Sequence, residues 1–244
     1  MQERNIFVVA NHAVPVRTRR QSENLIYFAL SILFNSLGNA LTVALNLGSA
    51  LWTASAVNFT FITGIPLAVV LFAFGVAVII ANAVIIGKLD WHRIIGNVIF
   101  MVPFSYLIGI LSNYLILWGI NDLPLIVRVV MDCFGVCLIS LAISIYQRVN
   151  LMLHPVDDLM QIIRFKYFKG SATIAQLVTF MPPILITVIC WIIGQHLLAI
   201  NIGTIFALLF QGSLVGVFDK IVFPSLKHQN LDHGETKNDD RVHS

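Results

Sequence analysis

Long hydrophobic stretches, separated by short polar segments, dominate this chain. No Asp, Glu, Lys or Arg occurs between Leu25 and Gly87 or between Gly170 and Phe218. A helix that crosses the hydrocarbon core of a bilayer needs about 20 apolar residues, and its backbone groups must find hydrogen-bond partners within the helix. Each of these two stretches is long enough for two crossings. The pattern therefore predicts an all-α, polytopic membrane protein.

The ends of the apolar stretches predict six transmembrane helices. They fall at 25–47, 66–87, 94–118, 123–147, 172–195 and 203–223. Segment 48–65 is too polar for a crossing and too apolar for an ordinary loop. We expect there a short helix that lies at the interface or re-enters the membrane, with Trp52 and Phe59 as anchors at headgroup level.

Composition removes several classes of function. The chain is 58% hydrophobic and 11% charged, whereas soluble proteins carry about 25% charged residues. The net charge of +3 comes from tails and loops, so we expect no nucleic-acid partner. No sequence signature of a metalloenzyme, a serine hydrolase or a phosphate-binding loop occurs. We expect no enzymatic activity, no metal site and no cofactor, and the first apolar stretch is too long to be the core of a cleaved signal peptide.

The basic residues predict the orientation. Lys and Arg collect on the cytoplasmic side of membrane proteins, and six crossings place all but one of the 15 Lys and Arg residues on the same side. The exception is Arg128, near the outer end of the fourth span, where Asp132 stands one turn further along. We expect these two side chains to pair, or to act in gating or proton coupling. The pattern predicts a multi-pass protein of the cell membrane with both termini in the cytoplasm.

The predicted organisation has four parts. A cytoplasmic tail at 1–24 precedes a three-helix unit at 25–118, and a second three-helix unit at 123–225 precedes a disordered cytoplasmic tail at 226–244. The insert 151–169 mixes apolar residues with Arg164, Lys166 and Lys169. This composition is typical of a basic amphipathic helix on an anionic leaflet, and a solvated loop is the alternative.

Dipeptides that recur at similar spacing predict an internal repeat. Leu37-Gly38 matches Phe134-Gly135, and Ile95-Gly96-Asn97 matches Ile202-Gly203-Thr204. Because each unit has three crossings, the two copies must have opposite orientations, as in many transporters whose solute site lies between inverted repeats.

The same residues carry a family resemblance. Leu37-Gly38, the run Leu45-Asn46-Leu47-Gly48 and Trp52 resemble the first-helix signature of the YczE/YyaS/YitT-type bacterial membrane proteins, and Ile202-Gly203-Thr204 resembles the start of their last helix. The resemblance covers about 25–225 and is nearest to the YczE branch, which lacks a soluble C-terminal domain. It implies a bacterial six-helix membrane protein in a family for which transport is presumed.

Polar residues on one face of the first span are the best candidates for a solute path. Ser31, Asn35, Asn39, Thr42 and Asn46 follow one another at helical spacing, and amides in hydrocarbon need hydrogen-bond partners. The expected solute-binding residues are Asn35, Asn39, Thr42, Asn46, Asn97 and Thr204. Asn82, Gln176 and Gln211 could complete the cavity. Asn97 and Thr204 both stand where a helix begins, which favours an anion, and hydrogen bonding between helices is the alternative role for the whole face.

These features favour a permease or facilitator for a small polar solute, which the lipid bilayer surrounds. A membrane-embedded regulatory protein without transport activity and the substrate-binding subunit of an energy-coupling transporter are the alternatives. Gly212 and Gly216 form a GxxxG pattern, which favours close packing within the bundle or the contact of a homodimer.

Overall fold

A computed structural model describes residues 21–223 and Leu226. Within them lie eight α-helices and no strand. The helices are α1 (Gln21–Leu45), α2 (Leu51–Thr63), α3 (Leu67–Ile86), α4 (Trp91–Leu117), α5 (Leu125–Val149), α6 (Pro155–Lys166), α7 (Ala172–Gly194) and α8 (Ile202–Ile221). All except α2 and α6 are long and apolar enough to cross a membrane. The all-α class and the six predicted crossings are thus confirmed, while the two tails fall almost wholly outside the described residues.

The antiparallel helices α1 and α5 form the centre of the bundle. They cross at Gly38 and Gly135, where a Cβ atom on Gly38 would lie 2.6 Å from the carbonyl oxygen of Gly135. No larger residue fits between the two backbones at this point. Helix α4 packs along α1, and α8 packs along α5. The crossing therefore fixes the pair of helices on which both halves of the bundle are built.

The short helix α2 is an interior element. Thr53, Ala54 and Asn58 are buried, and α2 packs against α7 and α3. The aromatic ring of Trp52 contacts that of Phe74 on α3, with 6.4 Å between ring centroids. Helix 51–63 therefore packs within the bundle, while its depth in the membrane and the anchoring role of Trp52 and Phe59 stay predictions.

Helix α6 corrects the prediction for 151–169. The segment does contain an amphipathic helix, but its apolar residues Leu159 and Ile163 are buried against α3 and α7. Lys166 donates a hydrogen bond to the carbonyl oxygen of Ile85 at the end of α3. An apolar face that other helices cover cannot at the same time lie in a lipid leaflet, so α6 is part of the bundle.

The two sides of the bundle differ in how tightly they close. Helix α3 packs along α4, whereas α7 and α8 barely touch each other. On the closed side, a Cβ atom on Gly109 would lie 2.7 Å from the Cβ of Ala68. On the open side, a Cβ atom on Gly212 or Gly216 would meet nothing within 4 Å. Residues of both α7 and α8 line the interior cavity.

Candidate functional site

A cavity of about 320 Å³ lies at the centre of the described bundle, and every one of the eight helices contributes to its lining. The middle of its wall is apolar and consists of Leu71, Phe74, Met101, Phe104, Ile139 and Ile143. Water occupies about 30 Å³ per molecule in the liquid, so the space corresponds to about ten water molecules. Its volume lies at the small end of the range of ligand pockets.

Three side chains form a hydrogen-bonded chain at one end of the cavity. The Thr53 hydroxyl donates to Asn39 Oδ1 at 2.8 Å, and Asn39 Nδ2 donates to Asn35 Oδ1 at 2.9 Å. Asn35 is only 4% exposed, and its own Nδ2 has no partner among the described residues. This series of hydrogen bonds therefore ends in the free N–H₂ group of Asn35, which borders the cavity.

The start of α2 adds further donors beside this chain. The first N–H groups of any helix lack intrahelical partners, and Ala50 precedes α2 without offering a side-chain acceptor. The N–H groups of Leu51, Trp52 and Thr53 donate no hydrogen bond to any of the described residues. The indole Nε1 of Trp52 is also without a partner in the described chain, but it is buried in the wall and not exposed to the cavity. We call the three N–H groups, together with Asn35 and Asn39, the donor pole.

The opposite end of the cavity carries an acid. Tyr146 donates a hydrogen bond to Asp157 Oδ2, and both residues line the cavity. Burial raises the pKa of Asp157 to about 6; the hydrogen bond from Tyr146 opposes this rise and the neighbouring Asp158 adds to it. We call Tyr146, His154 and Asp157 the acid pole.

His154 of the acid pole is held by aromatic rings. Its ring lies 5.3 Å from that of Phe100 and 4.9 Å from that of Phe104, measured between centroids. Its Nδ1 accepts a hydrogen bond from the backbone N–H of Val156 and so caps the start of α6. Burial lowers the pKa of His154 to about 4. The imidazole is therefore neutral at pH 7, and the acid pole lacks a histidine cation to balance Asp157.

Polar side chains also mark the gap between α7 and α8. Gln176 and Thr179 on α7 and Gln211 on α8 border the cavity there. The Thr179 hydroxyl donates to the backbone carbonyl of Gln176 on its own helix, while neither glutamine side chain has a hydrogen bond within the described chain. Two free amides beside a loosely packed seam provide adaptable donors and acceptors at the side of the cavity.

Three of the six predicted solute-binding residues line this cavity, namely Asn35, Asn39 and Thr204. Thr42 donates to the Asn39 carbonyl within α1. Asn46 lies beyond the end of α1 with a φ of 52°, and its Oδ1 accepts a hydrogen bond from the Ala199 N–H. Asn46 therefore joins two loops and has no place on the cavity wall.

Asn97 belongs to a separate polar cluster. Its Nδ2 donates to Asp158 Oδ2 at 3.0 Å, and Arg93 lies 3.6 Å from the other carboxylate oxygen of Asp158. These contacts tie α6 to α4. Asn82 has a similar role, since its Nδ2 donates to the Pro155 carbonyl. Neither asparagine borders the central cavity.

The structure also changes the interpretation of the predicted anion position at the start of α8. Asn201 Oδ1 accepts the hydrogen bond from the Ile202 N–H, and the Thr204 hydroxyl donates to the carbonyls of Ser49 and Ala199. A Cβ atom on Gly203 would collide with the carboxylate of Asp132. Groups of the protein itself thus occupy the space that an anion at this helix end would need.

Arg128 and Asp132 do not pair as predicted. The Arg128 guanidinium donates to the carbonyl oxygen of Leu45 at the end of α1, where a cation complements the helix dipole. Both carboxylate oxygens of Asp132 are buried without a hydrogen bond in the described chain. Arg128 therefore fixes the end of α1.

The GxxxG pattern on α8 makes no close contact within the described residues. Space is open around the Cα atoms of both Gly212 and Gly216, so the prediction that this pattern packs inside the bundle is wrong. Gly212 borders the cavity instead. The homodimer alternative stays a prediction.

Sequence reasoning missed the acid pole. The predicted span 123–147 contains Tyr146 and the predicted insert 151–169 contains His154 and Asp157, but the sequence pattern assigns none of them to a cavity. One signal was available: Pro155 followed by Asp157 and Asp158 is typical of the first turn of a helix. What the sequence alone does not reveal is that this first turn points into the bundle.

The chain belongs to the family of unknown function DUF6198, whose profile matches residues 22–220. That range includes all eight helices except the residue at each extreme end. No curated protein and no solved structure is significantly similar to the chain. The match covers the whole helical bundle and assigns no activity to it.

Proposed function

We propose that this protein is a permease or facilitator that carries a small polar solute across the cell membrane through the central cavity. The observation that carries the proposal is the cavity itself, which every helix lines and which has a donor pole and an acid pole. A bundle that served only as a scaffold would have its buried amides satisfied by hydrogen bonds. Here the amide of Asn35 is left free inside the bundle.

The proposal includes the inverted repeat. A long helix, a short helix and two long helices follow one another twice along the chain. In the first half α1 packs against α4, and in the second half α5 packs against α8 in the same way. Helix α2 packs on α7 as α6 packs on α3. Two short helices that begin at the cavity are typical of transporters with inverted repeats. We further propose that both termini are cytoplasmic, and that the resemblance to the YczE type reflects a shared bundle.

The cavity offers a direct test of transport. Phe at position 212 would project from α8 where the cavity wall is open, so Gly212→Phe should block the path without straining the fold. Ser213→Phe makes a similar addition at an exposed neighbouring position outside the lining. We would reconstitute the full chain in liposomes and follow isosmotic swelling in amino acids, sugars, polyols and small carboxylates.

At least one solute should enter faster than into protein-free liposomes. Gly212→Phe should abolish this difference and Ser213→Phe should keep it. If the folded protein accelerates no solute of any class, the transport proposal fails. In that case a regulatory membrane protein, or a binding subunit that needs an energy-coupling partner, becomes the better explanation.

A further inference from the structure

The donor pole offers hydrogen-bond donors without matching acceptors. The free groups are the N–H groups of Leu51, Trp52 and Thr53 and the Asn35 amide. Asn39 cannot balance them, because its Oδ1 already accepts from Thr53. Four donor groups at one end of the cavity call for a ligand that accepts hydrogen bonds. A helix start adds a partial positive charge of about half an elementary charge.

The charge of the lining limits which acceptor group fits. No Lys or Arg is among the described residues that line the cavity. Phosphate and other multiply charged anions are usually held by Arg or Lys, so this lining suits at most a single negative charge. Neutral N–H donors at a helix start bind carboxylates well. A carboxylate is therefore an acceptor group that matches this lining.

The wall beyond the donor pole limits the rest of the ligand. Leu71, Phe74, Met101 and Phe104 form an apolar surface there, which favours a hydrocarbon or aromatic body. The acid pole lies at the other end of this apolar surface, where the ring of His154 contacts that of Phe104.

We infer that the solute is a small monocarboxylate with an apolar body, bound with its carboxylate at the donor pole. This inference rests on the proposed function and names the class of its solute. Benzoate and butyrate have the expected shape, since each joins one carboxylate to a compact apolar group. Benzamide, butyramide and butylamine have nearly the same size but lack the negative charge.

The test is the melting temperature of the purified full chain in neutral detergent with each of these five probes. Benzoate and butyrate should raise it in a saturable manner. The two amides should bind at least tenfold more weakly, and butylamine should have no effect. Equal stabilisation by benzamide and benzoate would overturn the inference, and so would stabilisation by butylamine alone or by none of the five.

Two variants locate the site. Ala50→Asp places a carboxylate of the protein at the start of α2, where it caps the helix and repels a second carboxylate. Its melting temperature should therefore hold or rise while the affinity for benzoate falls at least tenfold. Asn35→Asp should weaken benzoate binding to a similar degree. The control is Asn113→Asp, the same change at an exposed position on α4, which should bind benzoate like the unmodified chain.

An unchanged affinity for benzoate in both Ala50→Asp and Asn35→Asp would place any carboxylate elsewhere and overturn the inference. The swelling assay separates this failure from that of the proposed function. If sugars or amino acids still enter and Gly212→Phe still blocks them, the protein transports a solute of another class. If nothing enters, the proposed function fails as well.

Discussion

The two halves of the bundle, residues 21–117 and 125–221, have the same arrangement of helices but make different polar contacts at matching positions. In each half, the third residue of the short helix bonds to a side chain on the first long helix. Thr53 of α2 donates to Asn39 on α1, and Asp157 of α6 accepts from Tyr146 on α5. One contact is neutral and the other contains an ionisable carboxyl. The same position thus supplies a donor pole in one half and an acid pole in the other.

The halves also differ in how their last two long helices meet. Helices α3 and α4 pack closely, with Gly75 against Met101 and Gly109 against Ala68. Helices α7 and α8 barely touch, and polar residues border the gap between them. The seam between α3 and α4 is thus closed, and the seam between α7 and α8 is open. Each prediction below tests one element of this difference.

We expect the largest change in unfolding free energy when the contacts between Arg148 and the end of α8 are removed. Arg148 on α5 is only 1% exposed; it lies 3.2 Å from Asp219 and donates to the carbonyl oxygen of Val222 at the end of α8. Removing one partner of a buried ion pair costs about 3–5 kcal/mol. Arg148→Met should therefore lower the unfolding free energy by that amount in denaturant titrations of the purified protein.

Lys220→Met is the control for this experiment, because Lys220 is exposed on the same end of α8. It should change the unfolding free energy by less than about 0.5 kcal/mol. A loss below about 1 kcal/mol in Arg148→Met would mean that contacts along α5 hold α8 without this ion pair. The contrast between a closed and an open seam would then need another explanation.

The second effect compares two glycines at matching positions. Gly109 stands as far after Asn97 as Gly216 does after Thr204. Gly109→Leu must push against Ala68 on α3 and should cost about 2–3 kcal/mol through overpacking. Gly216→Leu meets open space and should change the unfolding free energy by less than about 0.5 kcal/mol. Equal losses in the two variants would show that the seam between α7 and α8 is closed in the protein as purified.

The sequence predicted the crossings well and the cavity only in part. Hydrophobicity summed over some 20 residues identifies a span whatever its neighbours are. The fate of a single polar residue depends on geometry that the pattern does not contain. Asn39 and Asn46 follow the same helical spacing, yet α1 ends between them, so Asn39 borders the cavity and Asn46 bonds the Ala199 N–H.

The equivalent residues Asn97 and Thr204 illustrate the same limit. Asn97 bonds to Asp158 on α6, whereas Thr204 bonds to loop carbonyls and borders the cavity. Their sequence contexts match, but the helices around them pack differently. Helices α7 and α8, which both line the cavity, barely contact each other, and no local pattern in either helix predicts a contact that is missing.

The acid pole makes the stability of the fold depend on pH. The folded protein binds the proton of Asp157 more tightly than the unfolded chain does, because its pKa is raised to about 6. The contribution of Asp157 is fully present below its ordinary pKa and is lost as the pH rises through about 6. Asp157→Asn removes this dependence and should be more stable than the unmodified protein by about 1–2 kcal/mol at pH 7.5.

His154 titrates in the opposite direction. Its lowered pKa means that its contribution is present above its ordinary pKa and is lost as the pH falls through about 4. Both Asp157→Asn and the unmodified protein contain His154. The difference between their unfolding free energies at each pH therefore reports on the Asp157 carboxyl alone. Tyr146→Phe should move the Asp157 midpoint to higher pH, because the lost hydrogen bond had lowered the pKa. A difference that stays constant from pH 4 to 7.5 would contradict the assignment.

The smallest effect concerns the neutral contact of the first half. Thr53→Val removes the hydroxyl that donates to Asn39 and should lower the unfolding free energy by about 1 kcal/mol. Thr60→Val is the matched change on the same helix, and the Thr60 hydroxyl is buried without a hydrogen bond in the described chain. Replacing it by a methyl group should be neutral or slightly stabilising. Because Thr53 is neutral, its cost should be the same at pH 5 and pH 7.5, whereas the effect of Asp157→Asn should change between them. A pH-dependent cost in Thr53→Val would mean that the two poles are coupled through the cavity and do not act as separate sites.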